Sequence, residues 1–539
     1  MVCRWFPSNI YITVCFVLAA NVPERAYEPS CLNMISIGVY AMSTALITTA
    51  KAALVTLFAG ALAYVVYQCV FSPLAVFPGP FAAKLSKTWR AYVTYRGHWH
   101  RDLVALHRRH GSVVRIGPNE LSVIDPDAFL QIYSANGAYA KSASYSIVQG
   151  SRPFDLAGER SEKIHAAQRR LVARAYSMES VMHFETQVDE LIAQVLRKFD
   201  DVALSKTVID LGYWVQLFTF DVIGAISFTK PYGFLSSGSD SLGTEESFFA
   251  KLKATFDNAA WLMHAGWFFR LHQKVIMPIV GNLLAVNERN GFFFRFAQRE
   301  VQERKDRGGN DQDMVGRLLK VQQTKAELDD LSIAFMMTSN IFAGSDTTSA
   351  ALRSIFLNLI RHPRVLAKLR SELQDREANG KLSLIVQGAE ADACPYLQVI
   401  IYESMRLFSP VSFMLDRDVP AEGIMIRGHH VPSGTVVGTS PWAIHLSPEV
   451  WGDDVDEFRP ERWLDCEDPG NLKRFFFSFG GGTRGCIGRN ISWFEMEKLV
   501  STLVMRYDFK LAEDAEITEE CGTVVYLMGL RVTIARLGE

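Results

Sequence analysis

Apolar and polar positions divide the 539-residue chain into a doubtful start, one unbroken apolar run and a long succession of helical patterns. Residues 11–20 are apolar but too short to cross a bilayer, and 21–29 are polar. That stretch fits a signal h-region behind Arg4, a re-entrant piece, or a leader upstream of a start at Met34 or Met42. Residues 52–71 carry no charge and only Gln68 as a strongly polar side chain, long enough for a bilayer core of ~30 Å. A buried core helix has the same composition; Lys51 at one end and Ser72-Pro73 at the other favour the membrane. Lys84, Lys87 and Arg90 follow, which puts the remainder of the chain on the cytoplasmic side. The predicted order is an extension over 1–51, a transmembrane helix over 52–71, a stiff proline-rich hinge over 72–80 around Pro78-Gly79-Pro80, and one large domain over 81–539.

Within that domain the periodicity predicts a helix over 89–110, then a strand pair over 112–124 turning at Gly117-Pro118-Asn119. Asp125-Pro126 opens another helix, and 137–158 reads as a long irregular binding loop. Helical patterns follow over 165–178, 188–198, 213–229 and 246–268, with a flexible linker at 236–243. The longest pattern starts near Glu327 and ends near Arg361, about 45–50 Å at ~1.5 Å per residue. A helix over 395–407, short strands to about 437 and a closing hairpin over 524–534, with Met528-Gly529 near its turn, complete the domain. The fold class is mainly α with small β-sheets.

Composition narrows the function. Half the residues are apolar (49%), which suits a large packed core, and a net charge of −2 gives no general attraction to nucleic acid. The eight cysteines form no CxxC pair, as in a reducing compartment.

One cysteine stands apart. Phe479-Gly480-Gly481-Gly482-Thr483-Arg484-Gly485-Cys486-Ile487-Gly488 places Cys486 where a glycine-rich loop enters a helix. Backbone N–H groups and the positive helix end favour a thiolate there, and the bare loop admits a large flat metal cofactor. The reading is that Cys486 is the axial ligand of a haem iron. In the longest helix, Ala343-Gly344-Ser345-Asp346-Thr347-Thr348 interrupts an apolar run with poor helix formers. Thr347 is expected to bond the carbonyl of Ala343 and open the helix; ordinary buried threonines also back-bond, but an acid beside a hydroxyl also makes a proton-delivery site. Glu403 and Arg406 share a helix face at i and i+3, either a surface pair of little worth or, given apolar neighbours, a buried one.

These motifs, in this order, resemble the cytochrome P-450 family of haem-thiolate monooxygenases from about Pro78 to the C-terminus. The cysteine loop matches Phe-Gly-x-Gly-x-Arg-x-Cys-x-Gly at every fixed position, and Ala343 to Thr348 matches Ala/Gly-Gly-x-Asp/Glu-Thr-Thr. Glu403-x-x-Arg406 with Arg462 matches the family's triad. One departure is His165-x-x-x-Arg169 where the family commonly has Trp-x-x-x-Arg. Arg115-Ile116-Gly117-Pro118-Asn119 and Lys141-Ser142 resemble the fungal group similar to pisatin demethylase, which suggests specialised metabolism.

The resemblance implies haem b, O2 as co-substrate and electrons from NADPH through a separate NADPH–cytochrome P-450 reductase, with cytochrome b5 as an optional donor. It implies an endoplasmic-reticulum membrane, a single-pass anchor and a cytosolic catalytic domain. Thiolate ligation in this family is a general example of electron push that favours O–O cleavage. Phe479, Gly480 and Gly488 are expected to shape the sulfur's surroundings. Arg484, Arg169, His165 and Arg417 are expected at the haem propionates; for Arg417 a surface pair with Asp416 or Asp418 is the alternative. Asp346 and Thr347 would relay protons on the opposite haem face, and Glu403, Arg406 and Arg462 would hold the proximal core. Phe342, Ala343, Val411, Phe413, Met414 and Met528 are expected to meet a hydrophobic small-molecule substrate. Lys473, Arg474 and the arginines of the 165–178 helix form either a docking patch for an acidic reductase or a solvated face. Two other readings stand further off: a reductase-independent haem-thiolate isomerase or dehydratase, which would usually lack the Asp-Thr pair, and a haem sensor or carrier.

Overall fold

The computed structural model describes residues 29–134, 139–150, 152–241, 247–281, 291–308 and 313–538. The segment 11–20 lies outside them. The chain divides into two compact units, Met1–Ser72 and Pro73–Glu539. In the first, α1 (Pro29–Val66) passes directly into a π-helical turn, Tyr67–Phe71. The helix therefore begins well before residue 52. Its part Tyr40–Phe71 has a mean hydropathy of 1.9 and is almost wholly exposed, so by length and composition it can cross a membrane.

The second unit starts with a segment that is docked, not loose. Leu74 and Phe77 are buried. The carbonyl of Pro78 accepts from Arg115 N at 2.7 Å. A side chain on Gly79 would lie 2.1 Å from the Arg115 carbonyl oxygen, so only glycine lets this backbone lie against the strand. The expected helix over 89–110 is two: α2 (Lys87–Tyr95) and α3 (Trp99–His110), parted at Gly97, whose φ of 78° no helix tolerates.

The core is arranged about the helix expected from 327 to 361, here α6 (Asp330–Arg361). Its 32 residues span about 48 Å at ~1.5 Å per residue. Asp329 caps it, accepting from Ser332 N at 2.7 Å, and Arg361 lies in its last turn. Against it pack α4 (Leu211–Phe228), α7 (Pro395–Leu407) and α8 (Arg489–Val504). The helix α4 is apolar enough to span a membrane but is nearly all buried, which marks it as core. Two further helices flank the site, the basic helix Glu162–Val172 and α5 (Phe248–Leu262).

The sheets are small. Strands β1 (Val113–Gly117) and β2 (Glu120–Val123) form the expected antiparallel pair. β2 runs parallel to β4 (Val436–Gly438), and β3 (Arg417–Asp418) closes the sheet antiparallel to β4. An isolated bridge pairs Lys141 with Arg417, fastening the irregular loop to this sheet. At the C-terminus the structure departs from the sequence reading. Residues 524–534 are no hairpin. β6 (Val525–Met528) pairs with β5 (Thr518–Cys521), whereas β7 (Arg531–Arg536) joins a different sheet with Tyr507–Leu511 and Ile209–Asp210. Gly529, at φ 77°, makes the turn between them, and a side chain there would meet the Glu516 carbonyl at 2.0 Å.

Candidate active site

The cysteine loop is pinned at both ends. Phe477 N donates to His445 Nε2 at 2.7 Å and Ser478 Oγ to Met405 O at 3.0 Å. Gly482 needs its positive φ of 59°, since a Cβ would sit 2.5 Å from the Ser134 carbonyl. Cys486 N donates to Phe479 O at 2.8 Å, and Arg169 Nη1 to Gly485 O at 2.8 Å. The loop delivers Cys486 to the wall of a cavity of about 400 Å³. The cysteine is free and has accessible surface. That surface faces the cavity, and protein encloses the sulfur on its other sides. Phe479 packs on Phe476 and Trp493, with the Arg489 guanidinium 5.6 Å from its ring centre.

The thiol's acidity differs from the sequence expectation. Burial pushes it up; the amides of Gly488 and Arg489 and the Arg169 guanidinium pull it down by less. The helix end therefore does not by itself make a thiolate. A cationic metal at the sulfur would supply the missing charge, because coordination deprotonates a thiol outright. Among the described residues no group of three or more His, Cys, Asp or Glu could hold a metal ion. A haem iron at Cys486 would come with its other ligands in the porphyrin.

The cavity's polar side fits that group. Lys141, His165, Arg169, Arg417 and Arg484 all line it. Burial drops Lys141 to about 7, with Arg484 and Arg417 adding repulsion, and drops His165 to about 3. Arg484 spends part of its fork on Glu162 Oε1, at 2.6 Å, and on the Glu159 carbonyl, at 2.6 Å. Arg417 is buried and donates to the carbonyls of Leu415 and Asp416, both at 3.1 Å. The alternative surface pair is excluded for it: Asp416 is taken by Arg90, at 3.1 Å, and Asp418 by Arg160, at 3.2 Å. With His165 neutral and Arg484 on Glu162, Arg169 and Arg417, each bonded to backbone carbonyls, carry the positive charge that the propionates of a haem would meet. Lys141 was not singled out from the sequence as a site residue; its bridge to Arg417 is a long-range pairing.

The rest of the wall is mostly apolar. Phe342, Ala343, Val411 and Phe413 line it as expected. Met414 and Met528 do not: Met414 is buried in the core, and Met528 lies against Arg353, 3.5 Å from sulfur to Nη1. Neighbours in an extended chain face opposite ways, so Phe413 and Met414 cannot both face the cavity. Thr523 and Val524, just before β6, line it instead, with Phe256 and Ala259 of α5 and Met263 at that helix's C-terminal end.

On α6, Thr347 lines the cavity and donates to the Ala343 carbonyl at 2.8 Å. The expected local opening is absent: the helix runs unbroken, since a carbonyl's two lone pairs accept a hydroxyl and an amide together. Thr348 makes the same bond to Gly344 at 2.7 Å and meets Ser492 Oγ at 2.6 Å. Gly344 has no room for a side chain, because Ile223 of α4 would lie 2.8 Å away. Asp346 is fully buried and turned from the cavity, accepting from Gln216 Nε2 at 2.7 Å and Tyr526 Oη at 2.8 Å. Burial lifts its carboxyl to about 6.

Glu403, Arg406 and Arg462 meet in the core. Arg406 grips both Glu403 oxygens, at 2.9 and 2.8 Å, and Arg462 Nε reaches Oε1 at 2.8 Å. Trp463 Nε1 and Arg459 N complete the set, at 2.9 and 3.1 Å.

A lone cysteine, an apolar cavity and a cationic wall, on a mainly helical scaffold built round one long helix, define the site of a haem-thiolate protein. Comparison with known proteins agrees. The cytochrome P-450 family profile matches residues 78–531. Cytochrome P-450 monooxygenase hepC of Aspergillus oryzae is 53% identical over 471 residues, covering 84% of this chain and 90% of the relative. A pisatin demethylase of Fusarium vanettenii is 34% identical, covering 85% and 88%. The haem domain of cytochrome P-450DA shares the fold, with a TM-score of 0.67 at 16% identity over 82% of this chain and 93% of that one. The chain belongs to the cytochrome P-450 family. It is a monooxygenase, an oxidoreductase whose family carries haem iron and uses O2.

Proposed function

We propose that this enzyme inserts one atom of O2 into a hydrophobic small molecule in fungal secondary metabolism. Electrons come from NADPH through a separate reductase. The observation that carries this reading is the cavity that joins Cys486, a cationic wall and Thr347 within an otherwise apolar lining. When bound, haem supplies the oxygen-activating iron, and the protein supplies binding, orientation and protons. Cys486 would hold the haem iron through its sulfur, at which the amides of Gly488 and Arg489 are aimed. Phe479 shields that side, and the bare Gly480 lets the loop lie flat. Arg169, Arg484, Arg417 and His165 take the propionates. Thr347 hands protons into the cavity, and Asp346 stands behind it as their source. Glu403, Arg406 and Arg462 hold the cysteine side of the core.

The exposed apolar helix Tyr40–Phe71 supports a single-pass anchor in the endoplasmic reticulum with the catalytic unit on the cytosolic side. Exposed Arg170, Arg174, Lys473 and Arg474 offer a cationic docking face for an acidic reductase. The test is Cys486→Ser in the full chain: the reduced-CO absorption of thiolate ligation is lost, and its persistence refutes the assignment. A strain deleted for the gene accumulates the substrate. With reductase, NADPH and labelled O2, that compound gains one labelled oxygen; turnover without NADPH overturns the proposed reaction.

A further inference from the structure

The acid behind the cavity is held by residues that no motif marks. Asp346 Oδ2 accepts from Tyr526 Oη at 2.8 Å and Oδ1 from Gln216 Nε2 at 2.7 Å. The Gln216 amide cannot turn over, because its oxygen accepts from Arg353 Nη2 at 2.6 Å. Arg353 also donates through Nη1 to Leu527 O at 2.9 Å, in the strand that carries Tyr526. The contacts close a ring: Asp346, Tyr526, the β6 backbone, Arg353, Gln216 and back. The charged groups acting on Asp346 are Arg353, two turns along its own helix, and Lys253 of α5. Lys253 is tied to Asp257 at 2.6 Å and to Glu520 at 3.1 Å.

The Tyr526 ring belongs to a small separate cluster with Ala350 and Val524, and Phe256 packs against that cluster. Val524 and Phe256 are also cavity wall. The same side chain thus touches the wall's backing on one side and the buried acid on the other. We propose that Tyr526 is the positioning residue for Asp346, and that through its ring the acid responds to what fills the cavity. This rests on Asp346 as the proton source for Thr347. A molecule pressing on Val524 and Phe256 shifts the ring, alters the hydroxyl's hold on Oδ2 and changes how readily the carboxyl holds its proton. A buried, hydrogen-bonded contact of this kind transmits small displacements because its surroundings are close-packed.

The experiment reads the carboxyl by infrared spectroscopy on the haem-loaded full chain, with Asp346→Asn subtracted to isolate its protonated band. Tyr526→Phe keeps the ring and removes the hydroxyl. It is expected to fold, to keep the reduced-CO absorption and to raise the band's midpoint by about one to two pH units, the worth of a hydrogen bond to a charged group. Adding 4-phenylimidazole, an aromatic azole used as the probe of cavity occupancy, is expected to shift the band in wild type and to leave it in place in Tyr526→Phe. An unmoved midpoint overturns the positioning role. A wild-type band indifferent to the azole, or an equal shift in both proteins, overturns the link to occupancy. Failure of the relay is a separate result: if Asp346→Asn couples NADPH use to product as wild type does, the proton source is elsewhere, whatever the band does.

Discussion

Glu403→Ala tests the core on which the cysteine loop rests. Glu403 accepts from five donors: Nε and Nη2 of Arg406, Nε of Arg462, Nε1 of Trp463 and N of Arg459. The loss is uneven. Arg462 keeps Asp454 Oδ1 at 2.9 Å, so its charge stays paired. Arg406 is 1% exposed and keeps only carbonyls, those of His445, Val455 and Glu457, at 3.0, 2.7 and 3.1 Å. Carbonyl dipoles satisfy its N–H groups without neutralising it. Removing one partner of a buried pair costs about 3–5 kcal/mol, and Arg406 sets the upper part of that range. At ~1.4 kcal/mol per tenfold, folded over unfolded falls by roughly two to three and a half decades. Proteins hold only ~5–15 kcal/mol in all, so haem incorporation fails with it. The readouts are the reduced-CO absorption per mole of purified protein and the urea midpoint followed by tryptophan fluorescence. Arg462→Met is the comparison: it frees the Trp451 and Asp454 carbonyls but leaves Glu403 on Arg406 and Asp454 on Arg459, so no buried charge loses its last partner and it costs less. A haem-loaded Glu403→Ala protein with the wild-type midpoint, or a reversed order of the two variants, refutes the argument.

Thr347→Ala removes the cavity hydroxyl but no structural contact beyond its own bond to Ala343. Haem still binds, and a larger share of NADPH electrons leaves as peroxide; unchanged coupling of NADPH to product counts against the relay. Asp346→Asn carries a stability signature with a definite sign. Burial raises its carboxyl from 3.8 to about 6, so the folded state gains from the proton fully below pH ~4, loses that gain as pH climbs to about 6, and above it keeps a buried charge. Two units at ~1.36 kcal/mol each make the asparagine variant up to about 3 kcal/mol more stable than wild type above pH 6, and level with it near pH 4. A difference between the two urea midpoints that stays flat across pH 4–7 refutes the shift.

Local signals carried most of the chemistry. The cysteine loop, the Glu403–Arg406 spacing and the acid–threonine run are short stretches whose residue types have one good use, and the helix Pro395–Leu407 has the predicted bounds. What stayed hidden is long-range. Tyr526 and Gln216 stand 180 and 130 positions from Asp346, and nothing near either marks the pairing. Lys141 gains its place only through its bridge to Arg417. Gly97 and Gly529 break patterns that otherwise read as one helix and one hairpin, because a single positive φ redirects the chain without disturbing the periodicity around it.

The turn at Gly529 has a consequence for how this enzyme can diversify. β6 and β7 are consecutive in sequence yet bound to different sheets, so each has its own register, Val525 against Cys521 in one and Val532 against Leu511 in the other. A one-residue insertion or deletion just before Val525 would reverse the facing of every side chain on β6, taking Val525 out of the main core and Tyr526 off Asp346. Descendants of this gene are therefore free to change the letters at Thr523 and Val524, and so the molecules they accept, while the length of that strand is held fixed by the acid it serves.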